Sequence, residues 1–406
     1  METKNKKILR SLYFIFFMIG STTTAIDPII PKISEDLKIG FDKIGYIFLI
    51  GSFFSLIFTL ISGRLSDKFN VNNIILTGII IMFLGFSIIG FYLSFIVLIL
   101  VAVLYRSGYG IIDASIHAYT SKVYYENRSR IFIRLDVFHY LGAAASPLII
   151  SLIFFLGWDY KLIFIILAVL FLATLFLFQI AKQKKNSGAD IAELSASNNE
   201  YSESYSAGIN IFKVLKNRII IFAAVIVFFV NGALFGLSSW YTTYSSTFNL
   251  PISIGSLVIS LYWGLSIIGL FIADKLVKKM SEIRIIVIFY SAGVLFIACF
   301  NFVPFQFLKA VFLILTSISL TSIFPMSISL SVKERPEASG TILGFIIATA
   351  IMGILLFQPI MGVVAEFIGK GYVMFVALAS AILGLIFVFI LYKLISAKYG
   401  SVSKTI

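Results

Sequence analysis

Five ionisable residues lie inside long apolar stretches of this 406-residue sequence, apart from charges at the ends of the stretches: Asp27, Arg106, Asp113, His117 and His139. Asp113 and His117 are four residues apart, so a helix places both on one face, one turn from each other. A carboxylate beside an imidazole in apolar surroundings is the arrangement that a proton relay needs. The alternative is a structural hydrogen bond between an aspartate and a histidine of neighbouring helices.

The composition indicates that a membrane surrounds these residues. At 60% hydrophobic, the 406 residues include about 244 apolar side chains, which is more than a soluble core of this length needs. A helix that crosses a bilayer uses about 20 apolar residues, so this number matches twelve spans. The net charge of +13 comes from 32 Lys and Arg against 19 Asp and Glu. Because of the apolar runs, we assign this excess to cytoplasmic loops and not to a nucleic-acid-binding surface.

The elements that hold the residues are predicted by runs of apolar residues between charges and turn residues. We expect an all-α membrane protein with twelve transmembrane helices in two pseudo-symmetric six-helix bundles, residues 1–181 and 218–395. Residues 182–217 are expected to form a polar cytoplasmic linker and residues 396–406 a cytoplasmic tail. The expected spans are 8–31, 43–63, 73–93, 95–119, 131–156, 161–181, 218–243, 254–274, 283–303, 306–331, 340–366 and 372–395.

Two further patterns support this division. An Asp-Lys pair at residues 67–68 recurs at 274–275, 207 residues later, as two homologous halves predict. Basic residues number 25 on the side of the two termini and 6 on the other side, so both termini are expected in the cytoplasm. The first apolar run has no small-residue cleavage site, and we expect it to be an uncleaved first span.

Two six-helix halves, a long linker and the sequence from Gly63 to Lys68 after span two resemble the major facilitator superfamily of secondary transporters. Gly63, Leu65, Asp67 and Lys68 match its G-x-L-x-D-[RK] loop. The resemblance implies a gating loop, in which Gly63 allows two helix ends to approach closely and Asp67 and Lys68 hold one conformer closed. The alternative is an ordinary charged loop.

Three spans also resemble the fucose/hexose proton symporter branch of that superfamily. The matching motifs are Asp27-x-x-x-Pro31, Gly108-x-Gly110-x-x-Asp113 and His139-x-x-Gly142-Ala143. The resemblance implies that Asp27 and Asp113 carry proton coupling and sugar binding, and it assigns His117 and His139 to polar positions of the same site.

The depths of these residues in the membrane are consistent with one shared site for protons and solute. His117 and His139 each lie five residues from a basic loop-end residue, about 7–8 Å inside the cytoplasmic edge, and Asp113 lies about 13–14 Å inside, near the middle of a ~30 Å apolar core. Asp27 has an alternative as a helix-end carboxylate at the outer surface. Arg106 cannot deprotonate, so we expect it to pair with Asp27 or Asp113, or to be purely structural.

The second half of the chain, residues 218–395, contains fewer candidate site residues. Asn231 precedes a Gly-Ala pair in span seven, close to where the symporter branch carries a polar residue. Trp240 and Trp263 lie beside small and polar residues, a mixture that stacks on a sugar ring or a flat drug, although Trp240 has an alternative as an interfacial anchor. Gln358 with Pro359, and Pro325 in span ten, are expected positions of helix breaks, where free carbonyls can line a cavity.

We therefore expect a monomeric secondary transporter in a lipid bilayer, the plasma membrane, that imports a small sugar-like solute with protons by alternating access. The alternative is a drug/proton antiporter, because residues 142–147 partly match the antiporter G-x-x-x-G-P motif. A membrane enzyme or sensor is disfavoured, since the sequence has no nucleophile–base cluster. With a single cysteine, Cys299, no disulfide, metal site or cofactor is expected.

Overall fold

A computed structural model describes residues 2–124, 128–183 and 216–400, and most of the expected linker and part of the expected tail lie outside these ranges. The regular structure of the described residues is entirely helical, and twelve segments are long and apolar enough to cross a membrane. The expected fold class and the twelve spans are thus confirmed. The long helices are Glu2–Thr23, Phe41–Lys68, Val71–Phe91, Phe95–Val123, Arg128–Phe155, Leu162–Gln183, Arg218–Ser245, Ile252–Leu276, Glu282–Phe302, Gln306–Leu320 with Ile323–Glu334, Ser339–Phe367 and Val373–Tyr399.

Span one is interrupted after Thr23. A 3-10 turn, Asp27–Ile29, and a short helix, Ile30–Leu37, complete the span. A proline lies within the first two positions of each of these two pieces, where its missing N–H has no helical partner to lose. Within the interruption, Thr24 donates its hydroxyl hydrogen to the carbonyl oxygen of Ala143 at 2.8 Å. The irregular outer end that the sequence predicted is therefore present, and span five holds it.

Span ten is also interrupted, between Leu320 and Ile323. Pro325 has no N–H and leaves the carbonyl of Thr321 without its helical donor, which accounts for the break that was expected there. The break expected at Gln358 and Pro359 is wrong, because the helix Ser339–Phe367 continues through this proline.

The chain forms two compact units, and the same glycine contact recurs in both. The first unit contains residues 2–183 and 251–260 of the described chain, and the second contains residues 216–250 and 261–400. In the first unit, a Cβ built on Gly142 of span five would lie 1.9 Å from the carbonyl oxygen of Phe17 in span one. In the second, a Cβ on Gly353 of span eleven would lie 2.0 Å from the carbonyl oxygen of Phe228 in span seven.

These two contacts support the internal repeat. Each residue of the second contact lies 211 residues after its counterpart, from 142 to 353 and from 17 to 228, close to the 207-residue spacing of the Asp-Lys pairs. The close approach of two backbones leaves no room for a side chain. Spans one and five, and spans seven and eleven, are thus related packing pairs of two homologous halves.

The second unit is held at one end by a buried carboxylate. Glu334, at the end of span ten, accepts hydrogen bonds from Lys398 at 2.6 Å, Tyr399 at 2.7 Å and the side-chain amide of Asn217 at 3.2 Å. The Asn217 side chain also accepts the backbone N–H of Ile219 and caps span seven. One carboxylate therefore connects the end of span ten to the start of span seven and the end of span twelve.

Candidate functional site

Two glycines fix the orientation of span four. A Cβ on Gly110 would lie 2.5 Å from the carbonyl oxygen of Ser55 in span two, and a Cβ on Gly108 would lie 2.9 Å from the carbonyl oxygen of Gly78 in span three. Backbone contacts this close require glycine. The Gly108-x-Gly110 motif therefore packs span four against spans two and three. The intervening Tyr109 contacts span five instead, through the ring of His139.

The structure places Asp113 and His117 one turn apart on the same face, as predicted. The Nδ1 atom of His117 lies 2.9 Å from the carbonyl oxygen of Asp113 and 3.5 Å from its carboxylate oxygen Oδ1. A hydrogen on Nδ1 is therefore donated to the carbonyl oxygen, while the carboxylate is close enough to stabilise a charged imidazole. The imidazole lies between the rings of Phe16 and Phe132, with centroid distances of 5.4 and 4.9 Å. His117 thus connects span four to spans one and five.

Asp27 is buried at the interruption of span one. Only 1% of its surface is exposed, so the alternative of a carboxylate at the outer surface is wrong. It begins the 3-10 turn, where a negative charge is favoured by the free N–H groups of a helix start. Its charge interacts with that of Arg106. The pairing of Arg106 with Asp27 stays a prediction, as does the purely structural alternative for Arg106.

Arg106 is itself buried and held by its neighbours. Its Nε–H donates to the hydroxyl oxygen of Tyr105 at 3.0 Å. A Cβ built on Gly51 of span two would lie 3.0 Å from the Cγ atom of Arg106. Glycine at position 51 therefore provides the space through which the arginine side chain passes.

His139 lies in span five beside the broken end of span one. A Cβ on Gly20 would lie 2.0 Å from the carbonyl oxygen of His139, so span one fixes the backbone at this position. The imidazole makes edge contacts with the rings of Tyr109, at 6.1 Å, and Tyr140, at 5.8 Å. The histidines and Asp113 are therefore all found where spans four and five face each other.

A sixth ionisable residue, Asp136, belongs to this region and was not predicted. It lies in span five, and its charge interacts with those of Asp113 and His117. Because it lies near the beginning of the expected span 131–156, it was grouped with the charges at the ends of the apolar stretches. The signal that could have found it is the Asp-x-x-His spacing from Asp136 to His139, which places the two residues on one helix face.

The predicted polar residues of the second unit form bonds between helices. The indole N–H of Trp240 in span seven donates to the carbonyl oxygen of Gln358 in span eleven at 3.2 Å. The side-chain amide of Gln358 donates to the hydroxyl of Ser239 at 2.6 Å. Two hydrogen bonds therefore fasten span seven to span eleven beside Pro359.

Trp263 is similarly engaged, whereas the hydrogen bond of Asn231 lies within span seven. The indole N–H of Trp263 in span eight donates to the hydroxyl of Ser238 in span seven at 2.8 Å, and the side-chain amide of Asn231 donates to the carbonyl oxygen of Val227 at 2.9 Å. Trp240 and Trp263 are almost completely buried. In this conformation, both indoles contribute interhelical packing.

The motif after span two differs from its expected form. Residues 63–68 belong to the end of the helix Phe41–Lys68 and are not a loop. Among the described residues, no heavy atom lies within 4 Å of a Cβ built on Gly63, so the predicted close approach is absent at this glycine. The side chains of Asp67 and Lys68 lie outside the described part of the structure.

The chain matches the family model described as Major Facilitator Superfamily over residues 12–349. A hexuronate transporter of Bacillus subtilis (strain 168) is 23% identical over 276 residues, which are 66% of this chain; the match spans 64% of that relative's length. Among solved structures, a bacterial homolog of the human lysosomal transporter Spinster superimposes with a TM-score of 0.75 at 13% identity, covering 96% of this chain and 97% of that one. The nucleoside transporter NupG gives 0.70 at 15% identity, covering 95% and 98%. The two structures show a shared fold.

Proposed function

Because the chain belongs to the major facilitator superfamily, we propose that it is a proton-coupled transporter that moves a sugar or sugar acid across the plasma membrane by alternating access. The family makes it a transporter of a small solute and not an enzyme. The coupling ion, the class of solute and the membrane are the parts that we propose.

Proton coupling is supported by one observation above the others: the group of carboxylates and imidazoles between spans four and five. Asp113 and His117 are in contact, and the charge of Asp136 interacts with both. Ionisable side chains inside a membrane are costly and are functional candidates by default. A carboxylate there is costly when it is charged and unpaired, so the binding of a proton can be linked to a change of conformation.

A sugar or sugar acid is supported by the sequence motifs and by the relative that transports hexuronate. Arg106 stays positively charged, and its charge interacts with that of the buried Asp27. If a solute carboxylate or hydroxyl competes for Arg106, the affinity for that solute depends on the state of Asp27.

The class of solute can be tested by counterflow in proteoliposomes, which needs no gradient. The panel contains a hexose, a hexuronate, a nucleoside and a lipophilic cationic dye. We expect exchange of the hexose or the hexuronate. Exchange of the dye or the nucleoside without any exchange of the two sugars would contradict the proposed class.

The antiporter alternative receives no support from Gly142, the first residue of its motif. This glycine is required by the contact of span five with the carbonyl oxygen of Phe17, a packing role that is independent of the direction of transport. The dye of the counterflow panel tests this alternative directly.

The proposed orientation has both termini in the cytoplasm, on the basis of the distribution of basic residues. In a Cys299→Ser background, cysteines replace one exposed residue on each side, Tyr92 and Lys279. We expect a membrane-impermeant thiol reagent to label Tyr92→Cys in intact cells and Lys279→Cys only after permeabilisation. The opposite pattern would reverse the topology.

A further inference from the structure

Spans four and five face each other at two levels through pairs of rings. The ring of Tyr109 lies 6.1 Å from that of His139, and the ring of His117 lies 4.9 Å from that of Phe132. Residue numbers rise along span four while they fall along span five, so the two helices are antiparallel. These two contacts define the register between the helices.

This register places two carboxylates at the level between the ring pairs. Asp113 lies four residues from each of the span-four rings, and Asp136 lies three and four residues from the span-five rings. Residues three, four and eight apart lie on one side of a helix. Asp113 and Asp136 are therefore opposite each other, about 4.5–6 Å along the helix axis from the ring contacts.

The environment links the charges of the two acids. The charge of Asp136 interacts with those of His117 and Asp113, and both carboxylates interact electrostatically with the Tyr109 hydroxyl. Two negative charges held near each other in apolar surroundings cannot form independently. The other titratable groups that face the pair from these spans are His139 and Tyr140.

A second imidazole lies beside the two carboxylates. His139 is 8% exposed, and its described contacts are ring contacts with Tyr109 and Tyr140. His139 lies three residues from Asp136 on the same helix face, so its imidazole belongs to the same group of titratable side chains.

We propose that Asp136 and Asp113 bind protons as one coupled carboxylate pair, with His117 beside both, and that this pair takes up the transported proton. The transport role of the pair rests on the proposed function, whereas the coupling between the two acids does not. Asp136 becomes a second proton-binding residue that the family motifs do not include.

The coupling can be tested by infrared titration of protonated carboxyl groups in the purified protein, without solute and without a gradient. Four proteins are compared: wild type, Asp113→Asn, Asp136→Asn and the double variant. Subtracting the titration curve of the double variant from that of the wild type gives a curve for the pair. Subtracting it from the curve of each single variant gives a curve for the one acid that remains. We expect the pair curve to differ from the sum of the two single curves, with midpoints displaced by about one pH unit or more.

Asp159→Asn is the matched control, since this acid is exposed in the loop before span six and the amide retains the oxygen that accepts the N–H of Lys161. The pair curve should be unchanged in this variant. A pair curve equal to the sum of the single curves would overturn the proposal. If Asp136→Asn does not give a folded protein, Asp136→Ser replaces it in the same comparison.

Measurements of solute uptake test the transport role of the carboxylate pair separately from its coupled titration. If the titrations are coupled but solute uptake is independent of the pH gradient, the carboxylate pair stands and the proposed proton coupling is wrong. If uptake follows the pH gradient but the titrations are additive, the transporter is proton-coupled and Asp136 is not part of its proton site.

Discussion

Replacement of Asp113 by Asn should abolish the accumulation of solute driven by a pH gradient, while exchange of solute across the membrane continues. Asn resembles the permanently protonated carboxyl group, so the variant can change conformation without carrying a proton. In the wild type, a gradient of one pH unit can drive about tenfold accumulation for each proton carried. In Asp113→Asn, uptake in proteoliposomes should stop when the concentrations on both sides are equal.

The control for this prediction is Asp159→Asn, which should accumulate solute as the wild type does. Counterflow is measured in parallel, because a variant that fails to bind solute would also fail to accumulate it. Gradient-driven accumulation at the wild-type level by Asp113→Asn would remove Asp113 from the coupling mechanism. Asp27 and Asp136 would then be the remaining candidates.

Replacement of Gly142 by Ala should destabilise the protein strongly. The new Cβ would lie 1.9 Å from the carbonyl oxygen of Phe17, and a backbone atom cannot move aside as a side chain can. Overpacking of this kind costs about 1–3 kcal/mol and occasionally more, and we expect a loss at or above the upper end. Thermal unfolding of the purified protein in detergent measures the effect.

Gly344→Ala is the matched control for Gly142→Ala, because it also lies within a helix and, among the described residues, no heavy atom lies within 4 Å of its added Cβ. We expect this control to be neutral or more stable by up to about 1 kcal/mol. Gly353→Ala, the counterpart in the second half, should behave as Gly142→Ala does. Equal melting temperatures of Gly142→Ala and Gly344→Ala would show that spans one and five are not packed as described.

The spans could be predicted from the sequence because a run of about 20 apolar residues has few alternatives to a membrane helix. The positions of helix breaks could be predicted only in part. Pro325 and Pro359 look alike in the sequence, yet the helix breaks near the first and continues through the second. Span eleven is hydrogen-bonded to span seven beside Pro359, and no local pattern contains such a tertiary contact.

The candidate site could be predicted where its members share one helix, as Asp113 and His117 do. The sequence left open whether Arg106 pairs with Asp27, pairs with Asp113 or is purely structural, since it does not give the register between spans one and four. Asp136 was missed because it was grouped with the charges at the end of span five. Its place opposite Asp113 follows from the register of spans four and five, which is set by contacts between residues far apart in the chain.

The central claim, that solute and protons move together, is tested most directly by the pH of the medium around proteoliposomes that contain the wild-type protein. A transported hexose or hexuronate is added outside, with no initial gradient and with the membrane potential short-circuited. We predict that the medium becomes more alkaline as protons enter with the solute, and that Asp113→Asn proteoliposomes show no such change. Solute uptake without any change of pH, or with acidification of the medium, would contradict the account.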